Sequence, residues 1–353
     1  MTKLLIKKFK AIQKNLVSEL SAASSARKYL NICYILLRYG KFQNIINANP
    51  LDSFNKNELY EFQLLVQVAH INLSLSRSES VDLTGLLTLA QGVMTHIDLS
   101  DRTRVLILNR FVVCAYRYSQ NTAWRTEASQ MGKELEKIIA GKKLEVFSDF
   151  ILASVAYRGL AMIQEWGKDK AQELMTEMRR LALLARPHTE IEKITNFENL
   201  YTGLQTISKW SVSQGDKIAA EKALLEMTQI DPMDSTAFSE LGFFYFKNGL
   251  LEKSKEAFEA AEQLGPPAVG MNLYYKAKIL QEQKKWNEAV IAFERAADVD
   301  PYAVSPWLDL IECQMQLGAK TKAQNAATHI LKTTELNEQL EDSERQQIEA
   351  LYV

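Results

Sequence analysis

Three prolines that close helix-like stretches, Pro232, Pro266 and Pro301, stand 34 and 35 residues apart, and other landmarks keep step with them. Gly215, Gly249 and Gly318 fall between paired helical stretches, with Lys284 in the equivalent place. Five residues after each of these positions comes a small residue: Ala220, Ser254, Ala289 and Ala323. Small side chains there let two helices approach closely. Large apolar residues recur as well, Leu204, Phe238, Leu273 and Trp307 early in the first helix and Leu224, Phe258 and Phe293 in the second. A unit of two short helices cannot bury its apolar face alone, so successive units must stack. The same constraint explains why "LEKSKEAFEAAEQLGP" and "WNEAVIAFERAADVDP" repeat Ala, Phe, Ala and Pro in register.

The residues in this register resemble the tetratricopeptide repeat, a helix-turn-helix unit of 34 residues. Residues 235–268 carry Phe238, Leu241-Gly242, Tyr245, Gly249, Phe258, Ala261 and Pro266, with Ser254 where the family usually has Ala. Ala277, Trp286, Ala289, Phe293, Ala296 and Pro301 mark the next copy, while the last keeps Trp307, Leu310, Gly318 and Ala323 without the closing proline. The first copy keeps Leu204, Ile207, Gly215, Ala220 and "IDP". Upstream, helix-length apolar periodicity over 26–42, 58–75, 83–97, 102–119, 124–141 and 155–187, with no strand-like alternation, continues the array in a looser register.

The resemblance therefore implies an all-α chain, a right-handed α-solenoid. Its expected parts are a basic amphipathic N-terminal helix (1–22), degenerate helical repeats (23–200) and four tetratricopeptide units (201–234, 235–269, 270–303, 304–337). A capping helix (338–353), begun by Ser343 and Gln346 in capping-box spacing, completes them. In the N-terminal helix Leu5, Phe9, Ile12, Leu16 and Leu20 share one face, and Lys3, Lys7, Lys10 and Lys14 another. Two readings stand for it: a polar-faced cap on the first repeat, or a helix that docks on an acidic partner or an anionic membrane surface.

Charge and composition limit function. Lys and Arg number 42 against 43 Asp and Glu, a formal net charge of -1, so no global field steers the chain onto nucleic acid. Cys33, Cys114 and Cys313 are too far apart for a disulfide framework or a zinc site and are expected as buried hydrophobes, which suits a reducing cytoplasm. No apolar run long enough to span a membrane and no cleavable leader are read, so a cytoplasmic location is expected. Phosphate-loop, dinucleotide, zinc-protease and nucleophile-elbow motifs are missing. His70, His96, His188 and His329 are scattered, so neither a cofactor nor a metal is expected. Trp286 and Trp307 fall at packing positions of the repeat, whereas Trp124, Trp166 and Trp210 are left open.

In tetratricopeptide proteins the first helix of each unit lines the concave groove. Carried over by that resemblance, the groove residues here are Gln205, Lys209, Phe243, Phe246, Lys247, Met271, Tyr274, Lys278 and Gln281. A few aromatic anchors rimmed by lysines suit a protein or peptide segment. Gln205, Ser239 and Phe243 stand where co-chaperone members carry a carboxylate clamp, which argues against that role. The expectation is a non-catalytic scaffold, an accessory or assembly factor for a bacterial-type enzyme or surface-biosynthesis complex. Two alternatives remain open: a peptide-sensing regulator, and an enzyme with its site in the degenerate half. Tight winding of the superhelix would bury the same groove residues as core.

Overall fold

The computed structural model describes residues 15–352 apart from Ser78 and Ile97, and leaves the side chains of Glu190, Ile191, Ile194 and Tyr352 aside. Most of the expected basic N-terminal helix thus lies outside the described residues; residues 15–21 are helical, with Leu20 buried. Among the described residues every regular element is helical. The chain divides into two compact units, one running to Asn72 and resuming over Val81–Pro232, the other combining Leu73–Ser80 with the chain from Met233 onward. That division falls within the stretch 201–337.

In the first unit the helices are α1 (Ala26–Arg38), α2 (Phe42–Ile46), α3 (Lys56–Ser76, whose last turn counts with the other unit), α4 (Thr84–Thr95) and α5 (Asp101–Tyr118). They continue as α6 (Thr122–Ile139), α7 (Phe147–Leu160), α8 (Lys168–Leu184), α9 (Glu190–Ser213) and α10 (Lys217–Ile230). Neighbours pair as hairpins, α5 with α6, α7 with α8 and α9 with α10, and the first helices α5, α7 and α9 also pack side by side. Phe111, Leu108, Ile107, Leu86 and Met131 lie fully inside the core so formed. The 201–234 copy has a longer first helix than its family register implies. Thr189 accepts from the Glu192 N–H and the Glu192 carboxylate accepts from the Thr189 N–H, a capping box that starts α9 at Glu190.

The second unit repeats the hairpin: α11 (Ser235–Lys247) with α12 (Leu251–Leu264), α13 (Val269–Glu282) with α14 (Trp286–Val299), and α15 (Ser305–Gln316) with α16 (Lys320–Lys332). A short α17 (Thr334–Asn337) and α18 (Asp342–Glu349) follow. The C-terminal helix starts earlier than the Ser343 and Gln346 spacing implies, because the Glu344 carboxylate reaches back to accept from the Glu341 N–H at 2.9 Å. Ile348 and the Gln324 bond to the Leu351 carbonyl fix this end against α16.

One turn recurs in both units. The N–H of Lys41, Asp216, Leu250, Lys285 and Ala319 bonds back to the carbonyl five residues earlier, at 2.8–2.9 Å. This is the helix-closing bond that requires a left-handed residue just before it. Gly40, Gly215, Gly249 and Gly318 supply that residue with φ of 70 to 77°, and Lys284 is forced into the same region at φ 58°. Ala220, Ser254, Ala289 and Ala323 are all fully buried where the hairpin helices cross. The Ser254 hydroxyl is satisfied there by donating to the Gly242 carbonyl at 2.8 Å. Gly242 itself must lack a side chain, since a Cβ would sit 2.9 Å from the Phe258 ring.

Candidate partner-binding face

On α13 the residues Met271, Tyr274, Tyr275 and Lys278 follow i, i+3, i+4, i+7 spacing and so share one helix face. On α11, Phe243, Phe246 and Lys247 do the same, and these two first helices pack together. Tyr275 is the hub. Its ring centroid lies 5.1 Å from Phe243, 5.2 Å from Phe246, 5.1 Å from Tyr274 and 5.6 Å from Phe258, against which it stacks. Packing consumes most of this aromatic surface, yet Phe243 and Met271 keep 36% and 38% of theirs exposed. The Lys247 ammonium rests 5.4 Å above the Phe243 ring, and among the described residues no carboxylate pairs with it.

The other polar side chains on this face are tied into the fold, although the buried Gln281 Oε1 lacks a donor. Tyr274 donates to Asp309 at 2.8 Å, and Lys278 donates to the second oxygen of the same carboxylate at 2.9 Å. Burial first, then the Asp309 charge, drives the Tyr274 phenol far above its ordinary range and keeps it a donor. Gln281 donates to Glu312 at 3.0 Å. These bonds tie α13 to α15, so Lys278 and Gln281 orient the repeat stack and offer a ligand no unspent charge.

Gln205 and Lys209 lie on α9, in the other unit. Lys209 is exposed. Gln205 borders a polar cleft with Asn109, Arg110, Val113, Arg117, Arg158, Thr202 and Thr206. The nine residues of the family groove are thereby divided between the two units. Tyr275 and Asp309 escaped the family register. They share a position one residue past the assumed groove position, on the side of the helix facing the neighbouring repeat. Tyr275 was legible as the missing member of the Met271, Tyr274, Lys278 stripe.

The remaining candidates are dispersed. His70 and His329 are exposed, His329 against the Trp307 ring at 4.4 Å. Cys33, Cys114 and Cys313 are buried and free, and burial pushes the Cys33 and Cys313 thiols up to about 12 and about 11. Trp286 and Trp307 pack on the second core, while Trp124, Trp166 and Trp210 pack on the first. Among the described residues no group of three His, Cys, Asp or Glu could hold a metal ion, and no helix is long and apolar enough to cross a membrane.

The chain is an all-α solenoid of tetratricopeptide-type helical hairpins. No protein-family model and no curated protein matches its sequence. Among solved structures it is similar to the chain in "Crystal structure of APC/C hetero-tetramer Cut9-Hcn1", at 11% identity and a TM-score of 0.56 over 96% of this chain and 58% of that one. It thus spans little more than half the length of that protein. The yeast Tom70 structure (12% identity, TM-score 0.48, 98% of this chain and 79% of that one) and the apo form of RapI (12%, 0.45, 92% and 98%) are more distant in shape.

Proposed function

We propose that this protein is a non-catalytic scaffold that holds a segment of a partner protein on the face formed by α11 and α13, acting as an accessory or assembly factor for an enzyme or surface-biosynthesis complex. The observation that carries the reading is the exposure of Phe243 and Met271 beside a fixed aromatic hub, with the uncompensated Lys247 ammonium next to them. Rigid aromatic anchors with one charged neighbour suit an apolar side chain flanked by Asp or Glu. A rigid hub lowers the ordering cost of binding, because Tyr275 is already fixed by four rings. The hetero-tetramer named for the Cut9 structure accords with a role in assembly.

Selection of peptides from a displayed random library on the full-length protein tests this. Recovered peptides are expected to pair an aromatic or aliphatic anchor with an acidic residue. Phe243→Ala and Met271→Ala should each weaken them about thirtyfold, the size of a hot-spot loss, and Lys247→Glu should reverse the charge preference. Unchanged affinity in the doubly substituted Phe243→Ala, Met271→Ala protein, with its helical circular dichroism intact, would place binding elsewhere.

A further inference from the structure

The cleft on the first unit has a chemistry of its own, independent of the aromatic face. Arg110 and Arg117 lie one heptad apart on α5, hence on one helix face, and Arg158 joins them from the adjacent α7. Arg158 is 9% exposed and donates through one guanidinium nitrogen to the Thr202 hydroxyl of α9. Among the described residues its other donors meet no protein acceptor, and neither Arg110 nor Arg117 has a carboxylate within ion-pair distance. Burial, and then the charges of Arg110 and Arg117, pull the Arg158 guanidinium down to about 9, against a smaller opposing pull from Glu198. Glu198 is itself engaged by Arg38 at 2.5 Å. The fold thus gathers three guanidiniums against the one Glu198 carboxylate, already shared with Arg38, and leaves most of their charge uncompensated, an arrangement that costs stability until an anion enters.

The size and walls of the cleft narrow the ligand. Its empty volume is about 290 Å³, counting the part open to solvent. Most of that is open solvent, and the enclosed part is only a few water molecules in size, room for one functional group and not for a cofactor. No aromatic side chain lines it for stacking a base. A single carboxylate would neutralise one of the three cations, whereas a phosphoryl group brings close to two negative charges and three acceptor oxygens for the guanidinium forks. Asn109 also borders the cleft, but its donor-free Oδ1 is buried against Gly159 of α7 and lies out of a ligand's reach. We propose that the cleft between α5, α7 and α9 binds a phosphoryl group, free or carried on a phosphorylated side chain, held by Arg110, Arg117 and Arg158.

Calorimetry on the full-length protein at constant ionic strength tests this with three probes: N-acetyl-O-phosphoserine N-methylamide, inorganic phosphate and N-acetylglutamate N-methylamide. Of the two phosphoryl probes, the tighter should saturate the wild-type protein and bind more tightly than the glutamate probe, and which one it is identifies the source of the group. The affinity of that probe should fall about tenfold or more in the Arg110→Gln, Arg117→Gln protein and in Arg158→Lys, which keeps the charge and loses the fork. Without ligand, the Arg110→Gln, Arg117→Gln protein should melt no lower than wild type, because the substitution relieves repulsion between like charges. Three results would overturn the assignment: no saturable binding of either phosphoryl probe, equal binding of the glutamate probe, or binding untouched by the arginine substitutions.

Discussion

Glu61 is 2% exposed on α3, and burial alone would push its carboxyl up. The positive charge of Arg102 and the paired bonds from Arg27, at 2.9 and 3.2 Å, outweigh that effect and hold it below the usual carboxylate range, with Tyr34 adding a hydrogen bond. One buried carboxylate thereby joins α1, α3 and α5. A group whose folded pKa is depressed contributes stability above its unfolded value, near 4.3, and loses it as pH falls through the folded value. Glu61→Gln leaves Arg27 and Arg102 facing a neutral amide. Because both arginines are partly exposed and regain water, the loss should sit at the low end for a broken buried pair, about 3 kcal/mol in urea unfolding at pH 7. The difference between variant and wild type should shrink progressively as pH falls below the unfolded value and on through the lower folded one; a difference that does not shrink at all over that fall would show that shape at Glu61, and not charge, holds the three helices together.

At the scale of elements, the turns show most clearly what was legible in the sequence. The glycine spacing located Gly215, Gly249 and Gly318, and aligned Lys284 with them, because a left-handed residue is a local requirement of the helix end. Helix starts were less legible where neighbouring capping-box pairs compete, since Glu341 with Glu344 and Ser343 with Gln346 have the same spacing and the sequence alone does not select the pair used. The aromatic hub was half legible: the family register pointed to Phe243 and Tyr274 and helical spacing to Tyr275, but Asp309 faces a neighbouring helix whose placement no linear spacing encodes. The arginine cleft left only a faint trace, the one-heptad separation of Arg110 and Arg117, since Arg158 and Thr202 come from other hairpins. Lys284 offers a direct test of the turn argument. A non-glycine residue in the left-handed region costs roughly 1–2 kcal/mol, while glycine costs roughly 0.5–1 kcal/mol in the unfolded chain. Lys284→Gly should therefore stabilise the protein by about 1 kcal/mol, read as a higher urea midpoint at unchanged slope. A lower midpoint would mean that the lysine side chain makes a contribution larger than the strain.

For the whole molecule, the fold extends well beyond the residues that spell the repeat. The strict register occupies residues 201–337, yet the likeness to the Cut9 chain covers 96% of the protein at 11% identity. What persists without sequence identity is the alternation of helix faces, which buries Phe111 in one core and Phe293 in another. In an array of this kind stability is close to a sum of each hairpin and its contacts with its neighbours. Phe111→Ala and Phe293→Ala each remove a fully buried ring and should cost about 3–5 kcal/mol. The cost should be local. Amide hydrogen exchange on Phe293→Ala should show faster exchange across α13 to α16 with α5 to α8 unchanged, and Phe111→Ala should show the reverse. If either substitution instead speeds exchange uniformly along the chain, the two cores unfold as one cooperative body, and a partner bound on the α11–α13 face would stabilise the arginine cleft as well.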